Sequence, residues 1–152
     1  MQIYMDVCCL NRPFDDLTQL RIQFESDAVL SIIARCETKQ WTLVSSEIID
    51  LEFKKQTDLK RLKKVQALYS VASKRLILTA QAQHRAEELQ GHGIKVFDSL
   101  HLAVAEVSNI DVFLTTDDDF IKAVERISTS IIVENPVTWF MEVLRNEWKY
   151  GY

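Results

Sequence analysis

Short, almost wholly apolar runs alternate along this chain with longer stretches of helical periodicity, and that alternation restricts its fold more than any other feature. Residues 2–5, 41–45, 111–116 (DVFLTT) and 130–134 (SIIVE) read as strands. The last two runs lack an in–out alternation, as expected of strands buried on both faces. Between them, Leu20, Phe24, Ala28, Ile32 and Cys36 recur at helical spacing and predict a helix over 17–39. Residues 8–16, punctuated by Asn11 and Pro13, read as a loop. Ser46 can cap a helix running to about residue 55, a basic helix follows to residue 74, and 76–79 is too short to assign. A helix over 80–90, the Gly91-His92-Gly93 break, a helix starting near Asp98, and a final helix over 137–148 after Asn135-Pro136 complete the pattern. Strands separated by helices imply an α/β fold: a three-layer α/β/α sandwich with a central parallel sheet. No internal repeat appears, and 152 residues suit a single domain over 1–152.

Composition removes several function classes. Three glycines are too few for a Gly-rich phosphate cradle, so no nucleotide cofactor is expected. Cys8 and Cys9 are adjacent and Cys36 stands alone, which gives neither metal-binding spacing nor a disulfide framework. They read as small core residues in a reduced, cytoplasmic setting. No apolar run approaches the length that spans a bilayer, so no membrane partner is expected. With a net charge of −4, a nucleic acid would have to be gripped by a local basic patch or through a bound metal ion.

The acids carry the functional argument. Ligands of open parallel sheets bind at the carboxyl ends of the strands, and Asp6 and Asp117 stand just past apolar strand runs. Asp98 begins a helix that can reach the same edge. The helix after Ser46 offers Glu47, Asp50 and Glu52, and its apolar arc of Ile48, Ile49, Leu51 and Phe53 contains only Glu52. An inward carboxylate must be paired with a base or bound to a cation. Four acids on one edge without an evident basic partner make a hard-oxygen site for Mg²⁺, with Mn²⁺ as its substitute. His84, His92 and His101 do not form a zinc ligand set. The competing reading is that these acids are solvated helix caps.

The blocks IYMDVCCLN, the Ser46 to Glu52 helix, FDSLHLAVAE from Phe97 and FLTTDDDF from Phe113 resemble, in order and spacing, the four acidic blocks of the PIN domain, the nuclease fold of VapC-type toxins. The resemblance spans nearly the whole chain, and its last two blocks are the specific ones. It implies that Asp6, Glu52, Asp98 and Asp117 are metal-binding catalytic acids, with Thr115 and Asp119 as supporting polar residues. It also implies divalent-metal-dependent endoribonuclease activity leaving a 5′-phosphate and a 3′-hydroxyl, and a small antitoxin protein as partner. In one departure, Val7 follows the first Asp where many family members carry Ser or Thr, which bears on how that ligand is oriented. The alternative is a catalytically silent PIN-fold module that binds RNA or protein without cutting.

His101, three residues after Asp98, reads as a supporting histidine hydrogen-bonded to a neighbouring carboxylate. The run 54–64 holds six basic residues against Asp58, and Lys60, Arg61, Lys63 and Lys64 are candidates for RNA phosphate contacts, although a solvated face explains them equally well. Arg12, just past the first strand, is a further candidate for a substrate phosphate. In the last helix, Trp139, Phe140, Val143 and Leu144 either cap the core, the preferred reading, or form the face of a homodimer.

Overall fold

The computed structural model describes residues 1–151. Its strands β1 (Gln2–Met5), β2 (Thr42–Ser46), β3 (Lys74–Leu76), β4 (Val112–Leu114) and β5 (Ile132–Glu134) form one sheet in the order β3-β2-β1-β4-β5, with every neighbouring pair parallel. β1 is central: Ile3 stands opposite Leu43 of β2 and Tyr4 opposite Phe113 of β4. All four of these side chains are fully buried, as strands covered on both faces require. The helices are α1 (Val7–Asn11), α2 (Leu20–Glu37), α3 (Glu47–Lys55), α4 (Leu59–Tyr69), α5 (Ala80–Gly91), α6 (Val96–Val107), α7 (Asp118–Glu125) and α8 (Pro136–Tyr150). α2 packs with α8, and α6 packs with both α5 and α3, giving the expected α/β/α layering around the sheet.

Local chemistry explains where the helices start. The side chains of Ser46, Asp58, Thr79, Asp117 and Asn135 each accept a first-turn backbone N–H, and Pro136 fills the first position of α8, where a missing N–H costs nothing. Gly93, at φ +91°, turns the chain from α5 into α6 in a conformation that L side chains rarely adopt.

Several elements depart from the sequence reading. Residues 8–16 are not an open loop: α1 buries Cys9 and Leu10, and a 3-10 turn over Arg12–Phe14 follows with Pro13 near its start. The basic helix stops at Tyr69 because the chain goes on to form β3 as an edge strand, in which only Leu76 is buried. β5 is the other edge, so Ile132 remains half exposed rather than fully covered. On α2, Leu20 and Phe24 are exposed, and apolar burial begins one turn later with Ala28, Val29, Ile32 and Ile33. On α8, Trp139 packs on Trp41 with ring centroids 5.2 Å apart, and Phe140 and Val143 join it in capping the core. Leu144 instead lines an apolar surface groove with Met141 and Trp148. No helix among the described residues is long and apolar enough to cross a membrane.

Arg12 departs from its expected role as a phosphate contact. Its Nε donates to Glu25 Oε1 at 2.9 Å and its Nη1 to Asp15 Oδ2 at 2.9 Å. Glu25 is a buried carboxylate on α2, also reached by Arg21 and by Asn135 Nδ2 at 2.6 Å, so Arg12 neutralises an interior charge. Arg12→Ala is therefore expected to cost about 2 kcal/mol, less than stripping a buried ion of every partner because two others remain. Urea unfolding with a lowered midpoint and an unchanged m-value would report it.

Candidate functional site

The strand order reverses about β1, whose neighbours β2 and β4 lead into different helices, and a crevice opens at the carboxyl ends of such strands. Asp6 leaves β1 there, and its backbone N–H donates to Leu114 O at 2.9 Å, hooking it to the end of β4. Thr115 lies just beyond β4 and is fully buried; its Oγ1 donates to Asp6 Oδ2 at 3.0 Å and accepts from the Asp117 N–H at 3.1 Å. One hydroxyl thus fixes the first acid and the approach to the last. Asp117 caps α7, its Oδ1 accepting from the N–H groups of Asp119 and Phe120 at 3.0 and 3.1 Å. The helix-cap reading therefore accounts for one oxygen of one acid. α6 begins at Val96, two residues earlier than expected, which places Asp98 inside its first turn. Asp6, Glu52, Asp98 and Asp117 all line one cleft of about 440 Å³.

Of the three acids on α3 Glu52 lines the cleft, whereas Glu47 and Asp50 do not, and the apolar arc is narrower than expected, because Leu51 is exposed. Glu47 turns away to accept from the Leu78 N–H at 2.9 Å, and Asp50 pairs with Arg75 at 2.6 Å across to β3.

Burial and like charge dominate the electrostatics. Burial pushes the Asp6 carboxyl above its ordinary range, against the opposing pull of His101, and Glu52 adds to the rise. Asp98 is pushed up to about 6, first by burial and then by the charges of Asp6 and Asp117. Among the described residues no Lys or Arg forms an ion pair with any of the four acids.

The expectation of no basic partner fails at one point. His101 is fully buried, with Nε2 bonded to Glu52 Oε1 and Nδ1 to the Tyr4 hydroxyl. Its carboxylate partner is on α3, 49 residues earlier, rather than on its own helix, and spacing along one helix cannot reveal such a contact. Ligand atoms of Asp6, Glu52 and His101 all lie within 4.8 Å of one another.

The remaining candidates surround this centre. Asp119 is exposed, and its backbone rather than its carboxylate meets Asp117. Arg61 is committed to structure: it donates to Asp15 Oδ1 at 2.7 Å and to Phe14 O at 2.9 Å, tying α4 to the turn after α1. Lys60, Lys63 and Lys64 are exposed on α4, whose Leu62 and Val65 line the cleft, so this helix forms its rim. Sequence reasoning counted Lys55 in the basic run 54–64 without singling it out; it lines the cleft with Nζ 4.1 Å from the centroid of the Phe97 ring. Sequence reasoning missed Cys8, whose Sγ lies 3.4 Å from Thr115 Oγ1 and accepts from the Thr116 N–H. The position of Lys55 in the basic run was a usable signal; nothing in the sequence marked Cys8.

The PIN domain model matches residues 16–126, which takes in Glu52, Asp98 and Asp117 and leaves Asp6, placed by β1, just ahead of the matched segment. The crystal structure of VapBC2 from Rickettsia felis bound to a DNA fragment from their promoter shares the fold, at a TM-score of 0.62 and 16% sequence identity over 89% of this chain and 98% of that one. No curated protein sequence matches the chain.

Proposed function

This chain belongs to the PIN domain family, and on that premise we propose that it is a divalent-metal-dependent endoribonuclease, the toxin of a toxin–antitoxin pair of the VapC type. The carrying observation is the cleft lined by Asp6, Glu52, Asp98 and Asp117, where like charges converge without an arginine or lysine ion pair to offset them. Such an oxygen-rich donor set, with the buried His101 as its one basic neighbour, fits Mg²⁺, with Mn²⁺ as substitute, better than a soft metal. When bound, the cation would supply the activation of water and the charge neutralisation that phosphodiester hydrolysis needs.

The surrounding residues hold these acids in place. Thr115 orients Asp6, which answers the departure at Val7: the hydroxyl missing beside the first acid is supplied from the end of β4. His101 holds one oxygen of Glu52. The α7 cap holds one oxygen of Asp117 and leaves its other oxygen to the cleft. Lys55 at the cleft and the exposed lysines of α4 at its rim would receive substrate phosphates. The complex named for the Rickettsia felis structure supports a small antitoxin as partner here.

The deciding experiment incubates purified protein with structured RNAs in Mg²⁺, in Mn²⁺ and in EDTA. Cleavage that requires the ion is expected. Binding without cleavage under every condition would replace the nuclease with a catalytically silent RNA-binding module.

The rim gives a separate prediction. Replacing Lys60, Lys63 and Lys64 together by Ala should weaken RNA binding and lower the slope of log affinity against log salt by up to about 2, the value for three phosphate contacts on a single strand. Filter binding across a salt series measures it, and an unchanged slope would return α4 to a solvated face. Arg61 is left intact because its contacts are internal.

A further inference from the structure

Beneath the cleft a line of polar groups crosses the apolar core. Ser46, Tyr4 and His101 are each fully buried, and Glu52 emerges from them into the cleft. The Ile49 N–H donates to Ser46 Oγ at 3.1 Å, and Ser46 Oγ lies 2.7 Å from the Tyr4 hydroxyl. The Tyr4 hydroxyl meets His101 Nδ1, and His101 Nε2 meets Glu52 Oε1. The line begins at the N-cap of α3 and returns to the same helix at Glu52, passing through β1 and α6 on the way.

Counting protons gives the line a direction. An ionised Glu52 can only accept, so the proton between it and the imidazole sits on Nε2. A neutral imidazole then has a bare Nδ1, which the single O–H of Tyr4 must fill. Tyr4 has no second proton, so its oxygen accepts from the Ser46 hydroxyl, and Ser46 in turn accepts from the Ile49 N–H. In the opposite order Ser46 would accept from both Tyr4 and Ile49, leaving its own proton without a bonded acceptor in a fully buried place, which is costly. Among the described residues no buried side-chain polar atom lacks a partner.

We propose that Tyr4 is a positioning residue of the acid cleft: oriented by the N-cap of α3, it locks His101 as the Nε2–H tautomer, which pins Glu52 through Oε1 and leaves Oε2 to a cation. The inference rests on the metal-centre reading above and extends it to a residue that touches no ligand. Outer hydrogen bonds of this kind set ligand orientation and tune metal affinity.

Tyr4→Phe is the discriminating variant, because it removes one oxygen and retains the ring that stacks on Phe113 at 4.9 Å. Tyr69→Phe is its control, since that hydroxyl donates to the backbone Val44 O at 3.3 Å and bonds no side chain of the line. Two readouts are taken: the ¹⁵N shifts of the His101 imidazole in metal-free protein, and the Kd for Mn²⁺ by calorimetry. The parent and Tyr69→Phe should show the Nε2–H tautomer and the same Kd. Tyr4→Phe should show mixed tautomers and bind Mn²⁺ about tenfold more weakly. His101→Gln, which keeps an N–H donor for Glu52, should lie closer to the parent than His101→Ala does. If Tyr4→Phe binds Mn²⁺ as tightly as the parent, the positioning role is wrong. An Nδ1–H tautomer in the parent overturns the proton order alone, and a parent that binds no Mn²⁺ overturns the metal centre on which the role depends.

Discussion

Asp98→Asn and Asp6→Asn are each expected to reduce RNA cleavage by about a hundredfold or more, while Glu47→Gln and Asp50→Asn leave it within a few-fold of the parent. Both affected acids line the cleft with Glu52 and Asp117, and a hard cation loses charge and affinity when a carboxylate oxygen becomes an amide. The two controls belong to the same helix as Glu52, yet their carboxylates face elsewhere, towards the Leu78 N–H and Arg75. The comparison therefore isolates position from charge, since all four substitutions remove one negative charge. Initial rates at saturating Mg²⁺ would measure it, and equal losses from all four would show that net charge rather than a shared cleft governs the activity.

Stability should move in the opposite sense to activity when the ion is absent. Asp98 carries a folded-state pKa of about 6, raised above the ordinary carboxyl value, so the parent takes up a proton there more readily than its unfolded chain does. A raised pKa favours the fold below the unfolded value and costs stability as the pH climbs through about 6. In EDTA at pH 7.5, Asp98→Asn should therefore melt higher than the parent. Because Asp98 is partly exposed, solvent screening reduces the effect to about 1 to 2 kcal/mol, or a few degrees. The gain should shrink as the pH falls below 6 and vanish only well below the unfolded carboxyl value, where the parent carboxyl is neutral in both states. Asp6→Asn should act in the same direction, since burial raises that carboxyl too.

Added Mn²⁺ reverses the order. Binding to the folded state alone stabilises the parent by about 2.7 kcal/mol at a hundred times the Kd, and the variants much less. Thermal melts with and without Mn²⁺ separate the two readings of the acids. Independent helix caps would give no rise in EDTA and an equal response to the ion in all three proteins.

How far the site could be read from sequence depends on the residue. Asp6 and Asp117 were legible because strand ends are marked by the close of an apolar run, and a parallel sheet delivers those ends to one edge. Glu52 was legible from its helical face, although Leu51 shows that the face is narrower than its apolar residues imply. The two arginines misled for a common reason. A guanidinium next to a presumptive site reads as a phosphate ligand until its own carboxylates are known, and Arg12 and Arg61 converge on Asp15 from different parts of the chain.

The sequence alone determined the parallel α/β architecture and four of its five strands, because hydrophobic periodicity and capping residues act over a few positions and are written locally. It could not determine what meets across the sheet. Edge status, which left Ile132 exposed and made β3 a strand, depends on which neighbours a segment lacks. The Tyr4–His101–Glu52 line joins residues 97 and 49 positions apart, and the Thr115–Asp6 bond spans 109. Such contacts arise only when packing removes water and obliges each buried polar group to find a partner, a condition imposed by tertiary structure and not by any local pattern of residues.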